Sequence, residues 1–258
     1  MKLAFKYILM HLKSQLEYRS SFIMSLFAQI LPTVLSASMV FVLLYKFNFG
    51  GKFNVYEVML GVSIVHFGHA FSECFGRGFD RFSDIIKKGT LDLMLIKPRS
   101  IYIQIFGSNI EFSKLSRILG SIILFVVAVN NLAFSFTLLS ILFLIWLLIA
   151  SVIIYLALYI IAACFCFKSI EGLEFTHIFT DGSHEFGQYP MGLFRREVLI
   201  MFTFIIPLAC VNYYPIKYIM GESNNILYLL SPLFCFVILG ISVLLFNKCL
   251  NHYASTGS

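Results

Sequence analysis

Charge is what this sequence has least of. Asp, Glu, Lys and Arg make up only 12% of its residues and 59% are hydrophobic, whereas soluble domains carry about 25% charged residues. That scarcity excludes a soluble globular protein: with a mean hydropathy of +0.88, most of the apolar surface has to face lipid. No GxxxxGK[ST] phosphate loop occurs, nor any HExxH, GxSxG or CxxC pattern. The chain is therefore expected not to hydrolyse ATP by itself and to carry no cofactor. Its 258 residues have room for roughly five to seven spans of about 20 residues, and none for a separate catalytic domain. The six cysteines fall in or beside apolar runs with no paired spacing, so reduced, buried thiols are expected rather than a disulfide framework.

What is present reads as an all-α polytopic membrane protein of six spans behind an interfacial helix. Residues 1–20 do not look like a secretory signal, because Lys6, Lys13 and Arg19 interrupt any apolar core. At helical spacing Phe5, Ile8, Leu9, Leu12 and Leu16 share one face and Lys2, Lys6, Lys13 and Glu17 the next, the division of a helix lying among anionic headgroups. Residues 21–253 then form the transmembrane domain, with spans expected at about 21–45, 55–75, 115–129, 136–167, 198–213 and 226–246. Pro32 predicts a kink in the first, Gly50-Gly51 a turn after it, and Asn130-Asn131 a hairpin between the third and fourth. Pro207 lies inside the short fifth span, and residues 254–258 read as a disordered tail.

The net charge of +6 is a matter of orientation rather than of nucleic-acid binding. Of 19 Lys and Arg residues, only Lys46, Lys52 and Lys217 fall on one side of the expected spans. The positive-inside rule then puts both termini in the cytoplasm of a cell (inner) membrane.

Three polar segments are candidates for chemistry. His66, His69 and Glu73 lie at i, i+3 and i+7 on one face of the second span. Such a face could bind an ion or relay protons, or it could pack inside the bundle with its polar groups hydrogen-bonded; in either case it should point away from lipid, where a charge costs at least about 2.5–3.5 kcal/mol. Glu171, Glu174, His177, Asp181, His184 and Glu185 form a second cluster. Its Glu-x-x-His spacing has no second copy to complete a di-metal site, so it reads as a solvated surface helix that Gly182 ends. The third segment, residues 76–100, begins with ionic residues (Arg77, Asp80, Arg81, Asp84, Lys87, Lys88) that suit a surface helix. Past Gly89 it continues with an apolar stripe that Pro98 terminates. An exposed stripe of that kind asks for a protein partner or for the membrane interface.

Here the sequence resembles a known family. GTLDLMLIKP, Gly89 to Pro98, is similar to the G-T-L-[DE]-x-L-L-x-x-P signature after the second span of ABC-2 type transporter permeases. Tyr189-Pro190 and FIIPLACVNYYPIKYIMG, with Pro207 and Pro215, resemble the subgroup of about 260 residues with a Tyr-Pro pair before span 5. The resemblance implies six spans and a membrane-embedded exporter subunit that pairs with a second permease, identical or paralogous. It also implies separate ATPase subunits carrying ATP and Mg. By position, Gly89, Leu91, Asp92, Leu95, Lys97 and Pro98 would form the coupling region, with Arg77, Asp80, Arg81 and Asp84 leading into it. Spans 1, 2 and 5 would form the dimer interface and cargo path, and the family's external hairpin between spans 5 and 6 would be abbreviated or absent. The 29 Phe and 9 Met suit either an adaptable wall for amphipathic cargo or ordinary lipid contact. An ion-coupled secondary transporter using His66, His69 and Glu73 is the alternative reading, and an enzyme built on the Glu174–Glu185 cluster a third.

Overall fold

A computed structural model describes residues 2–47, 54–132, 137–168 and 173–253, and among these every regular element is helical. The elements are α1 (Lys2–Glu17), α2 (Arg19–Phe47), α3 (Val55–Asp80), α4 (Phe82–Lys87), α5 (Thr90–Ile96), α6 (Ile101–Ser108), α7 (Leu115–Asn131), α8 (Leu138–Cys166), α9 (Leu173–Gly187), α10 (Arg196–Phe204), α11 (Ala209–Asn212), α12 (Tyr214–Ile219), α13 (Ile226–Leu230) and α14 (Phe234–Asn251). Five stretches are long and apolar enough to cross a membrane: Arg19–Val42, Val55–Lys87, Phe112–Asn131, Leu138–Cys166 and Ile226–Asn251. A sixth exists if the bent pair Arg196–Phe204 and Ala209–Ile219 counts as one span.

Several expected boundaries move, each for a physical reason. The fifth span is not one helix: it turns by 95° between α10 and α11. Pro207 has no N–H to donate and disfavours helical backbone in the residue before it. Pro215, in contrast, sits in the first turn of α12, where a missing N–H costs nothing. The second span does not stop at 75 but runs through α3 and on into α4, because its ionic residues find partners inside the bundle. Asn130 and Asn131 are both helical, the latter donating from Nδ2 to the carbonyl of Val127 at 2.8 Å, so neither makes a turn. Gly182 likewise does not end its helix, which persists to Gly187. The helix α2 is continuous through Pro32. Gly50-Gly51, Lys52, Glu171 and the tail 254–258 lie outside the described residues.

The spans pack in the order α2, α7, α3, α8, α14, with α3 in the middle. Small residues let α3 approach its neighbours: a Cβ on Gly68 would come within 2.6 Å of the Ser151 backbone on α8, and one on Gly78 would collide with the carbonyl of Ile105 on α6. At the carboxyl end of α3 a core of Phe79, Phe82, Leu91, Ile105, Tyr159 and Phe246 joins α3 to α6, α8 and α14. The amino-terminal helix docks against that end through one stripe. His11 bonds through Nε2 to the Gly107 carbonyl (2.9 Å), and Gln15 donates to the Ile110 carbonyl (2.6 Å) while accepting from the Phe112 N–H (3.0 Å). Its apolar Phe5, Leu9 and Leu16 remain exposed.

Candidate functional site

Two assemblies stand out, one inside the bundle and one at its tip. The inner one begins at the three residues that share a face of α3. His66, His69 and Glu73 are all at least 96% buried, and the structure adds partners from three other elements. Glu73 pairs with Arg77 one turn along (3.2 Å), with Lys114 (3.1 Å) and with Arg117 of α7. Arg77 reaches on to Asp80 (2.9 Å) and Glu111 (3.4 Å), and Arg81 also holds Glu111 (3.1 Å). Ion pairs of this kind persist in a low-dielectric interior only because each charge is answered several times. Arg77 and Asp80, expected on a surface helix, are thus part of the interior.

The second polar cluster meets the first. His184 on α9 is buried between the two α3 imidazoles, stacked on His69 with ring centroids 4.2 Å apart and edge-on to His66 at 4.7 Å. A hydrogen-bonded chain follows. Gln188 Nε2 lies 3.4 Å from His184 Nδ1, His184 Nε2 3.2 Å from His66 Nδ1, and His66 Nε2 2.8 Å from Ser36 Oγ of α2, whose hydroxyl donates to the Thr33 carbonyl (3.0 Å). Glu185 Oε1 is also 3.5 Å from His184 Nδ1, so the tautomer of His184 sets which way the links run. The neutral state of His184 is what burial dictates, pushing its pKa down to about 4, with His69 beside it adding to the shift. Asp181 Oδ1 lies 3.4 Å from His69 Nε2, and the imidazole holds that carboxyl below its ordinary range. His177 bridges towards Asp181 (3.3 Å) and, more loosely, Asp80 (4.0 Å). The helix read as a solvated surface element is therefore docked: its Thr180, Ser183 and His184, and Gln188 just beyond it, are buried. Among the described residues no three His, Cys, Asp or Glu side chains are arranged to hold a metal ion.

The tip is the excursion from α4 to α6. Gly89 takes the left-handed conformation (φ 62°) that lets α5 fold back from α4. Leu91 and Met94 are then buried in the core at the base of α3, α8 and α14, while Leu93, Leu95 and Ile96 are 58%, 45% and 80% exposed. Around them Arg81, Asp84, Lys87, Lys88, Lys97, Pro98 and Arg99 are exposed as well. Buried Gln104 fastens the return, its Nε2 donating to the carbonyls of Met94 (3.0 Å) and Arg99 (3.2 Å).

Sequence reasoning brought His66, His69 and Glu73 together but missed Glu111, Lys114, Arg117, Gln188 and Gln104. The available signal was a cluster of three ionic residues just before an apolar span, at 111–117, where charge beside lipid needs a partner. Tyr189 and Pro190 come one residue after the end of α9, Pro190 buried and Tyr189 half-buried. They are remote from the tip.

The arrangement fits what comparison finds. The family model described as ABC-2 family transporter protein matches residues 27–257, and the chain belongs to that family. It is thus a multi-pass membrane protein and a permease of an ABC transporter, a class that is not itself catalytic and associates with ABC ATPase components. No curated protein and no solved structure matches it.

Proposed function

We propose that this chain is the permease subunit of an ATP-driven exporter, forming a translocation path with a second permease and driven through its α4–α6 tip by separate ATPase subunits that bind ATP and Mg. In this reading both termini and the tip lie in the cytoplasm of the cell membrane, as the distribution of Lys and Arg favours. Spans 1, 2 and the broken 5 meet the second permease. The observation that carries the reading is the split character of α5. One side, Leu93, Leu95 and Ile96, is bare and ringed by cations, while the other, Leu91 and Met94, is buried against the bases of three spans. Apolar side chains with a charged rim are what a groove on a partner recognises. A push on α5 would reach α3, α8 and α14 as a rigid displacement, because a packed core has few intermediate arrangements.

The test is reconstitution with the cognate ATPase. Ile96→Asp should leave the protein folded, since an exposed change costs within about 0.5 kcal/mol, yet lower cargo-stimulated ATP turnover at least tenfold. Unchanged turnover would remove α5 as the coupling element. The alternative of ion-coupled transport has less support. It needs a carboxylate free to exchange its partner, and Glu73 is already answered by Arg77, Lys114 and Arg117.

A further inference from the structure

The six cysteines are all free thiols, and they divide by exposure. Cys74, Cys166, Cys210 and Cys235 are at most 3% exposed, sealed from any solute. Cys164 on α8 and Cys249 on α14 are half-buried, and their helices pack side by side. Ring contacts show that the two helices run in the same direction. Trp146 stacks on Phe236 near one end, with centroids 5.1 Å apart, and Phe167 meets both Phe246 and Tyr253 near the other, at 5.7 Å each. Between Phe246 and Tyr253 the positions that share their face of α14 are Cys249 and Leu250, while Cys164 lies one turn before Phe167 on the facing helix. That register brings the two thiols together, within hydrogen-bonding reach of each other. Side chains this short meet only where backbones are close, which is the condition a disulfide sets. Cys164 also donates its S–H to the Ile160 carbonyl of its own helix (3.2 Å), which engages the proton rather than the lone pairs of the sulfur. The pair lies at the base of the tip: Ala163 and Phe246 beside it belong to the core that buries Leu91 and Met94 of α5. Around Cys249 the chain turns polar, with Lys248, Asn251 and His252 exposed, so small solutes reach this end of α14.

We infer that Cys164 and Cys249 are a redox-responsive pair that a hydroperoxide converts to a disulfide, clamping α14 to α8 beneath α5. Cys249, nearer the polar end, reacts first. Its thiolate attacks the O–O bond of hydrogen peroxide and becomes a sulfenic acid, and the hydroxide that leaves takes up the proton the thiol gave, as one water. Cys164 then attacks that sulfur: the S–S bond forms, the S–O bond breaks, and the departing hydroxide carries off the Cys164 proton as a second water. Two thiols are oxidised and one peroxide is reduced, and cellular thiols reverse the change. On a reducing face of the membrane a disulfide of this kind is a transient signal rather than a staple. Helices at moving interfaces shift by about 1–2 Å between states, and a covalent bond across the α8–α14 seam forbids that shear. That the clamp restrains coupling rests on the exporter reading above; the disulfide itself does not.

The test exposes the full-length protein in lipid nanodiscs to hydrogen peroxide, blocks the remaining thiols with iodoacetamide and maps peptides by mass spectrometry without reduction. A linked pair of peptides containing Cys164 and Cys249 is expected, lighter by two hydrogens than the reduced pair and separated by dithiothreitol. Cys164→Ser should instead leave Cys249 as a sulfenic acid that dimedone captures, whereas Cys249→Ser should leave Cys164 reduced. If a serine variant does not fold, the map of the parent protein decides alone. No link, a link between two chains, or irreversible sulfinic acid at Cys249 while Cys164 is present would overturn the pair. With the cognate ATPase bound, oxidation should lower cargo-stimulated turnover severalfold, dithiothreitol should restore it, and the Cys164→Ser, Cys249→Ser double variant should be indifferent to peroxide. Unchanged turnover in a linked complex whose ATPase still responds to Ile96→Asp sinks the clamp and leaves the exporter reading. A link that forms in a chain that recruits no ATPase does the reverse.

Discussion

The helices α3 and α8 lie side by side and solve opposite problems. The α8 stretch is the most apolar of the spans, with mean hydropathy 2.9, and 44% of it is buried; the α3 stretch has mean hydropathy 1.3 and is 78% buried. The less apolar helix is the one inside. In lipid a polar group is tolerated only where protein answers it, so α3 hides His66, His69 and Glu73 while α8 leaves Ile141, Ile145 and Ile149 facing outwards. Burial here follows polarity rather than hydrophobicity, the reverse of the soluble rule.

The sharpest way to break this contrast is to remove the answer to the charges. Glu73→Leu leaves Arg77, Lys114 and Arg117 facing one another and should cost about 3–5 kcal/mol, read as a loss of folded yield and unfolding temperature in mild detergent. The contact between the two helices comes next. Gly68→Val places a side chain against the Ser151 backbone and should cost about 1–3 kcal/mol, with Gly68→Ala milder.

A smaller effect depends on pH. His184 has its folded pKa at about 4, below the ordinary 6.5 of an exposed imidazole. Between those values the opened state binds more protons than the docked one, so docking weakens as pH falls, by up to about 1.4 kcal/mol per pH unit. Above 6.5 there is no effect from this group. Protection factors of the α9 amides, which divide out the base-catalysed intrinsic exchange, should therefore fall between pH 7 and pH 5, and His184→Asn should flatten that dependence. An equal fall in the variant would assign it to another group. Least of all should Ile149→Ala on α8 matter. It is 47% exposed, and the variant's unfolding free energy should match the parent's to within about 0.5 kcal/mol; a large loss would show that this face is buried against protein.

How much was readable varies by element. The i, i+3, i+7 spacing of His66, His69 and Glu73 was legible because helical periodicity is local. Arg77 and Asp80 were misread as surface residues because the charges that gather around them and Glu73, namely Glu111, Lys114 and Arg117, come from a segment some thirty to forty residues on. Nothing in a one-dimensional pattern joins the two. His184 was visible as part of a cluster, yet that it slots between two other imidazoles depends on how α9 docks. Gly89 and Pro98 bracket α5, since a left-handed residue and a missing N–H act on their own neighbours. The bend at Pro207 was half legible: proline signalled an interruption, while its 95° size came from packing.

Composition and periodicity alone determined that this chain lives in a membrane, that it is helical and that it carries one polar-faced span. Those properties follow from short-range rules, the transfer cost of polar groups and the 3.6-residue turn. Only the tertiary structure decided which charges pair, which side of α5 is bare and that the thiols of Cys164 and Cys249 meet. Those outcomes depend on distances between helices far apart in the chain, and no local preference encodes a distance.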